Sequence, residues 1–124
     1  MQIVSTSTFR QSLKIISKRP EHGYASCCKD ICDELQGKSF DDIFVMNFLV
    51  KEIGQLRIIK IRVQNSEQKL SRADGFRLIV LCNRKYDETV LLKVYPKRGR
   101  HGQADIPKRE YKELLQIYAE EKKS

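Results

Sequence analysis

The chain has 124 residues, with 40% hydrophobic and 32% charged side chains and a formal net charge of +8. That length predicts one domain, residues 1–124, with a modest core and little surface to spare for a deep substrate cavity. The apolar runs are too short to span a membrane and the first residues show no charged segment followed by an apolar one, so a cytoplasmic protein with no membrane partner is expected.

The placement of the charge says more than its size. Residues 1–54 carry seven Lys/Arg and seven Asp/Glu, residues 55–112 carry fifteen and six, and the last twelve carry two and three. The whole excess therefore lies in one stretch, which is the footprint of a polyanion partner, whereas solubility alone would need no such clustering.

In chain order, Gln2-Ile3-Val4 reads as a first strand. Phe9, Leu13 and Ile16 then recur at helix spacing, with Ser7 or Thr8 available as the cap. Pro20 and Gly23 interrupt the chain before a second helix, with Tyr24, Cys28, Ile31 and Leu35 on one face and Gly37 at its end. So short a connection predicts two antiparallel helices. Ser39-Phe40-Asp41-Asp42 offers a capping box. The apolar residues from Phe40 to Ile53 suit both helix and strand, and they are read as a short helix leading into an extended piece.

From Leu56 the period changes to two. Ile59, Ile61 and Val63 alternate with Ile58, Lys60 and Arg62, which puts both cations on one face of a strand. A polar loop from Gln64 to Gly75 follows, in which the glycine suits a turn. Phe76 to Cys82 is a near-continuous apolar strand, and Asn83 to Glu88 is a hairpin connection. Thr89 to Tyr95 is the returning strand, with Val90, Leu92 and Val94 facing one way and Leu91, Lys93 and Tyr95 the other. Pro96 ends it, because it has no N–H to give a ladder. After a basic loop, Pro107 suits the first turn of a last helix striped by Tyr111, Leu114, Leu115 and Tyr118. The expected fold is α+β: an N-terminal strand and two helices, then three antiparallel strands and a C-terminal helix, with helices packed on a curved sheet.

Cys27, Cys28 and Cys32 fall within six residues on the second helix, with Cys82 on a strand. They lack the paired spacing of a zinc site, so they are read as small buried thiols, and no metal or cofactor is expected even with His22 nearby. In the basic half the only adjacent acids are Asp87 and Glu88, in a turn, which gives no placed pair for magnesium. P-loop, nucleophile-elbow and dinucleotide motifs are absent from the sequence.

The cations cluster where the sheet turns over. Lys60 and Arg62 lie on one strand, Arg77 at the start of the next, and Lys97, Arg98 and Arg100 in the loop after the last, so that paired strands would converge them on one open face. Arg77, inside the run FRLIVLC, must reach solvent, a carboxylate or a phosphate. Its bland alternative is a salt bridge within the fold. Tyr95 is placed to stack on a base or simply to pack, and His101 to exchange a proton or simply to fill a loop. This set suits metal-free attack by an RNA 2′-hydroxyl on the adjacent phosphate, with cations stabilising the charge that builds there.

At this point the chain resembles a known family. KIRVQNSEQKLSRADGFRLIVL (residues 60–81) is similar to the core of RelE-like toxins of the RelE/ParE superfamily, particularly the HigB type, and VLLKVYPKRGRHG with the helix after it resembles their last strand, basic loop and C-terminal helix. The resemblance implies a RelE-like domain and a type II toxin–antitoxin toxin that cuts messenger RNA at the ribosome. Its partners would be the ribosome, mRNA and a cognate antitoxin, and operator DNA only through the antitoxin complex. Carried onto this sequence, Lys60, Arg62, Arg77, Lys97 and His101 are the expected catalytic residues. Arg57, Lys69, Arg72, Tyr95, Arg98 and Arg100 are the expected RNA contacts. The chain departs from the family in its loop, Lys69 to Gly75, where many relatives carry a Gly-Lys-Ser-Gly-Gly run. Two alternatives stand beside this reading: a ParE-like inhibitor of DNA gyrase, and a non-catalytic RNA-binding module.

Overall fold

The computed structural model describes residues 2–46 and 49–123. In order they form β1 (Gln2–Ser5), α1 (Ser7–Ser17), a 3₁₀ turn at Pro20–His22, α2 (Cys27–Leu35), α3 (Phe40–Phe44), β2 (Leu49–Ile53), β3 (Leu56–Val63), β4 (Phe76–Asn83), β5 (Glu88–Pro96) and α4 (Lys108–Lys123). The five strands make one sheet in the order β1-β5-β4-β3-β2, with β1 parallel to β5 and the other pairs antiparallel. The expected α+β class holds, and the sheet gains both edge strands from outside the three-strand meander. Asn47 and Phe48, within the run read both ways, lie outside the described residues. Around them the run resolves into α3 and β2, joined as a helix leading into an extended piece. No helix among the described residues is long and apolar enough to cross a membrane.

β4 is the centre of the sheet, and all eight of its residues are buried. A strand covered on both faces has no use for alternation, which is why FRLIVLCN reads as a nearly unbroken apolar run. On one face, Ile59, Ile61, Leu78 and Val80 meet Phe9 and Ile16 of α1, Ile31 of α2 and Ile43 of α3. On the other, Ile58, Ile79, Leu81 and Leu92 meet Tyr111, Leu114 and Tyr118 of α4. Each such side chain contributes about 1.5–3 kcal/mol when fully buried.

Several local expectations change. The cap of α1 is Thr6, whose hydroxyl accepts from the Phe9 N–H, rather than Ser7 or Thr8. β1 carries the chain directly into the helix, so the cap falls one residue earlier. The buried face of α2 carries Cys27, Ile31 and Leu35, while Cys28 is exposed. The expectation of buried cysteines therefore holds for Cys27 and Cys82 and fails for Cys28 and Cys32. The Ser39 capping box forms as expected, with reciprocal bonds between Ser39 and Asp42.

Strand β5 breaks simple alternation. The register with β4 shifts between Ile79–Lys93 and Val80–Leu91, leaving Leu92 as an extra residue. Such a bulge turns two consecutive side chains toward one face. Leu92 and Tyr95 consequently join Val90 on the α4 face, and Leu91 and Val94 share the other. Pro96 remains in the strand opposite Phe76. Gly75 takes no left-handed turn; a Cβ there would lie 2.1 Å from the Val63 carbonyl, so only glycine fits between the two backbones.

Candidate nucleic-acid interface

The last rows of the sheet, Arg62–Arg77–Tyr95 and Val63–Phe76–Pro96, mark the end from which the loops 64–75 and 97–106 depart. These loops are held by side chains and by a few backbone bonds, among them an isolated antiparallel bridge between Asn65 and Leu70. Asn65 bridges them to the turn after α1: its Nδ2 donates to the Gly23 carbonyl at 3.0 Å, and its backbone exchanges two bonds with Leu70. The Ser66 N–H donates to Asp30 at 2.9 Å and the Glu67 N–H to the Ser26 hydroxyl at 3.1 Å. Tyr24, only 2% exposed and edge-on to Phe76, clasps the basic loop. Its hydroxyl donates to the Arg98 carbonyl at 3.0 Å and accepts the His101 N–H at 3.0 Å. Gly99 sits over that hydroxyl at φ +90°, where a Cβ would approach it to 2.5 Å.

Arg77 is 5% exposed, and its guanidinium turns inward to the loop beside it. Nη1 donates to the carbonyls of Arg72 at 3.0 Å and Phe76 at 3.2 Å, and Nη2 to that of Ala73 at 2.7 Å. Burial holds its pKa below the usual arginine value, and the facing Arg62 acts in the same direction. The charge is therefore stabilised by backbone dipoles that shape the loop 72–76. Arg62, its cross-strand neighbour, is exposed.

The face carrying Lys60, Arg62 and Arg77 is not open along its length, because α4 and the segment before it cover part of it. Asp105 closes this side. It takes an ion pair from Lys60 at 3.0 Å and hydrogen bonds from the Ile106 N–H at 2.7 Å, the Tyr111 hydroxyl at 3.2 Å and the Tyr95 hydroxyl at 3.5 Å. Burial tends to raise the Asp105 pKa, but the Lys60 ammonium and these donors outweigh it and hold the carboxyl below the usual range. Tyr95 is 2% exposed; burial first, then Asp105, pushes its phenol pKa up. Its ring is thus core material and offers no stacking platform. Lys93, on the same face, is paired with Glu110.

Other expected contacts scatter. Arg57, on β3 beside β2, lies on the opposite sheet face, donating to the Phe44 carbonyl at 2.7 Å and pairing with Glu52 at 2.8 Å. Arg72 pairs with Glu34 at 2.6 Å, and Lys69 is exposed at φ +54°. Arg98 holds Asp74 at 3.0 Å and ties the two loops together. Lys97 is half-buried, with its N–H given to the Gly75 carbonyl, and the Arg100 side chain is exposed.

Arg100 and His101 line two adjoining depressions. One, of about 480 Å³, runs between α1 (Thr8, Gln11, Ser12) and the end of β5. The other, of about 300 Å³, is formed by Ile15, Lys18, Arg19 and His22 on one side and Arg100 and His101 on the other. The two imidazole rings approach to 5.3 Å between centroids. Of these residues, His22 enters the sequence expectations only as a neighbour of the cysteines, and Lys18 and Arg19 do not enter them. The one available signal was the pair Lys18-Arg19 ending a helix just before a histidine.

The structure therefore gathers Lys97, Arg98, Arg100 and His101 at one end of the sheet, beside Arg62, and separates them from Arg57. It turns Arg77 and Tyr95 inward. Comparison with protein-family models, with curated proteins and with solved structures returned no match.

Proposed function

We propose that the chain is a RelE-like toxin of a type II toxin–antitoxin system, a ribosome-dependent mRNA endonuclease that works by metal-free attack of an RNA 2′-hydroxyl. The observation that carries this reading is the basic loop 97–103, clasped by Tyr24 at the end of the sheet, with Arg100 and His101 lining two surface depressions. Cations there would bind the phosphate backbone and offset the negative charge that develops on a phosphate under attack. The order of strand, helices, antiparallel strands and C-terminal helix supports the RelE-like arrangement, with β2 and α3 as additions. The reading brings with it a ribosome, an mRNA and an antitoxin able to cover a basic surface, all in the cytoplasm.

Within this reading Arg77 changes role. Its side chain organises the loop 72–76 from beneath, and phosphate binding passes to Arg62, Lys97 and Arg100. The ion pairs at Lys60, Arg72 and Arg98 favour a second reading, a ParE-like gyrase inhibitor, because neutralised cations suit a protein target better than RNA.

The test is inducible expression of the wild type beside Arg100→Ala in a bacterial host, with transcript ends mapped after induction. New ends at fixed positions within translated codons, lost in the variant, are expected. Growth arrest with intact transcripts and a DNA-damage response would overturn the nuclease reading in favour of the gyrase one.

A further inference from the structure

The smaller depression, between the C-terminal turn of α1, the 3₁₀ turn and the basic loop, has an unusual composition. Its polar lining is Lys18, Arg19, His22, Arg100 and His101, and among the described residues no carboxylate lines it. Lys18, Arg19 and Arg100 make no ion pair among the described residues, in contrast to Lys60, Arg72 and Arg98. Three unneutralised cations around one concavity repel one another, and an anion relieves that repulsion. The two histidines of the chain come from segments 79 residues apart in sequence, yet their rings stand 5.3 Å apart at this pocket. Both arms are held: Asn65 fixes the Gly23 carbonyl next to His22, and Tyr24 fixes the backbone of His101.

From this juxtaposition we infer that the pocket holds the scissile phosphodiester of the RNA, with Arg100 and Lys18 on its oxygens and His22 and His101 as the proton-transfer pair. The inference rests on the reading of the chain as an RNA-cleaving protein and names a site for it away from Arg77. Imidazole is the side chain that exchanges protons near neutral pH, which suits it to both halves of the proton transfer. The neutral ring takes the 2′-hydroxyl proton as O2′ bonds to phosphorus. The P–O5′ bond breaks, and the protonated ring gives its proton to the leaving O5′. The products are a 2′,3′-cyclic phosphate and a 5′-hydroxyl, with one proton accepted and one donated.

The charged groups lining the pocket beside the two rings are Lys18 at the end of α1, Arg19 before the turn and Arg100 in the basic loop, and the Tyr24 ring lies 6.1 Å from His101; Glu21, within the turn, is exposed and is not part of the lining. Gln68 of the loop 64–75 lies against Gly23 and adds no charge.

Two measurements on the full chain test this. The first is titration with a 2′-O-methyl dinucleotide, which binds without being cut, followed by NMR of the histidine ring protons. Both histidines should shift together, and Arg100→Ala should weaken binding about tenfold, the effect of losing one charge-assisted contact. Absence of a shift at His22 would overturn the site. The second is ribosome-dependent cleavage by His22→Gln and His101→Gln across pH. Each variant should lose about a hundredfold or more in rate, and the bell-shaped wild-type profile should lose one limb in each. Wild-type cleavage undiminished in His22→Gln would overturn the inference and leave the nuclease reading standing. Dinucleotide binding at both histidines without any wild-type cleavage would overturn the proton-transfer role and the nuclease reading, leaving an RNA-phosphate pocket. Thermal unfolding of each variant separates a lost group from a lost fold.

Discussion

Replacing Arg77 with Met tests whether its guanidinium serves the fold or the substrate. The methionine stem fills much of the same channel in β4, but three carbonyls, of Arg72, Ala73 and Phe76, lose their donors. A charge-assisted hydrogen bond is worth more than a neutral one, and a deprived buried carbonyl costs about 1–3 kcal/mol. Arg72 and Ala73 are exposed, so water can reach part of the vacated loop, and the lower end of that range applies to each. The wild-type guanidinium also bears a desolvation cost, seen in its lowered pKa, which the variant escapes. The net loss comes to about 3 kcal/mol, and for a chain of 124 residues this lowers Tm by roughly 12 °C. Urea unfolding followed by far-UV circular dichroism gives the free energy, and a thermal scan gives the second figure. Arg77→Lys should recover less than half of the loss, because an ammonium cannot span carbonyls on both sides of the loop. A variant as stable as the wild type but inactive in mRNA cleavage would refute the structural role and return Arg77 to the substrate.

Asp105 gives a pH dependence. Its folded pKa lies below the unfolded value, so its contribution to stability is present above the unfolded pKa, near 4, and is lost as pH falls through the folded pKa. Asp105→Asn should lower stability at pH 7 and flatten the acid limb of the stability profile below about pH 4; an unchanged limb in urea titrations would show that Lys60 and Tyr111 do not depend on the charge. Tyr118→Phe removes the hydroxyl that accepts from Asn83 at 2.9 Å and donates to Glu88 at 3.0 Å. It should cost about 1–3 kcal/mol in urea unfolding by orphaning those buried groups, and a loss under about 0.5 kcal/mol would mean that water replaces it. Burial raises the thiol pKa of Cys27, and that of Cys82 to about 11, while Cys28 and Cys32 are exposed. Iodoacetamide at neutral pH should therefore label two thiols in the native chain and four in urea; rapid labelling of all four would contradict the buried placements.

Much of the architecture was legible along the chain because its signals are local. The period-two run at Leu56–Val63, the unbroken apolar run after Gly75, the capping box at Ser39 and the proline before the last helix each report on neighbours a few residues away. The α+β class and the meander of β3, β4 and β5 follow from them. The concentration of positive charge in residues 55–112 was likewise visible without any structure. What a lone residue does there was not visible, because ion pairing is decided by partners distant in sequence. Arg72 finds Glu34 and Lys60 finds Asp105, both more than 35 positions away. The bulge at Leu92 depends on how β4 and β5 slide past each other, so alternation alone assigns Leu92 to the right face and Val94 to the wrong one.

By itself, then, the sequence determined the elements, the fold class, the basic half and the loop that carries Lys97 to His101. Tertiary structure alone decided that Arg77 and Tyr95 turn inward and that β1 and β2 border the sheet. It also brought His22, a residue with no periodic signal of its own, to within 5.3 Å of His101. The physical reason is the same in each case: helix and strand patterns arise from bonds between near neighbours, whereas burial, charge pairing and pockets arise from surfaces that meet only once the sheet has closed.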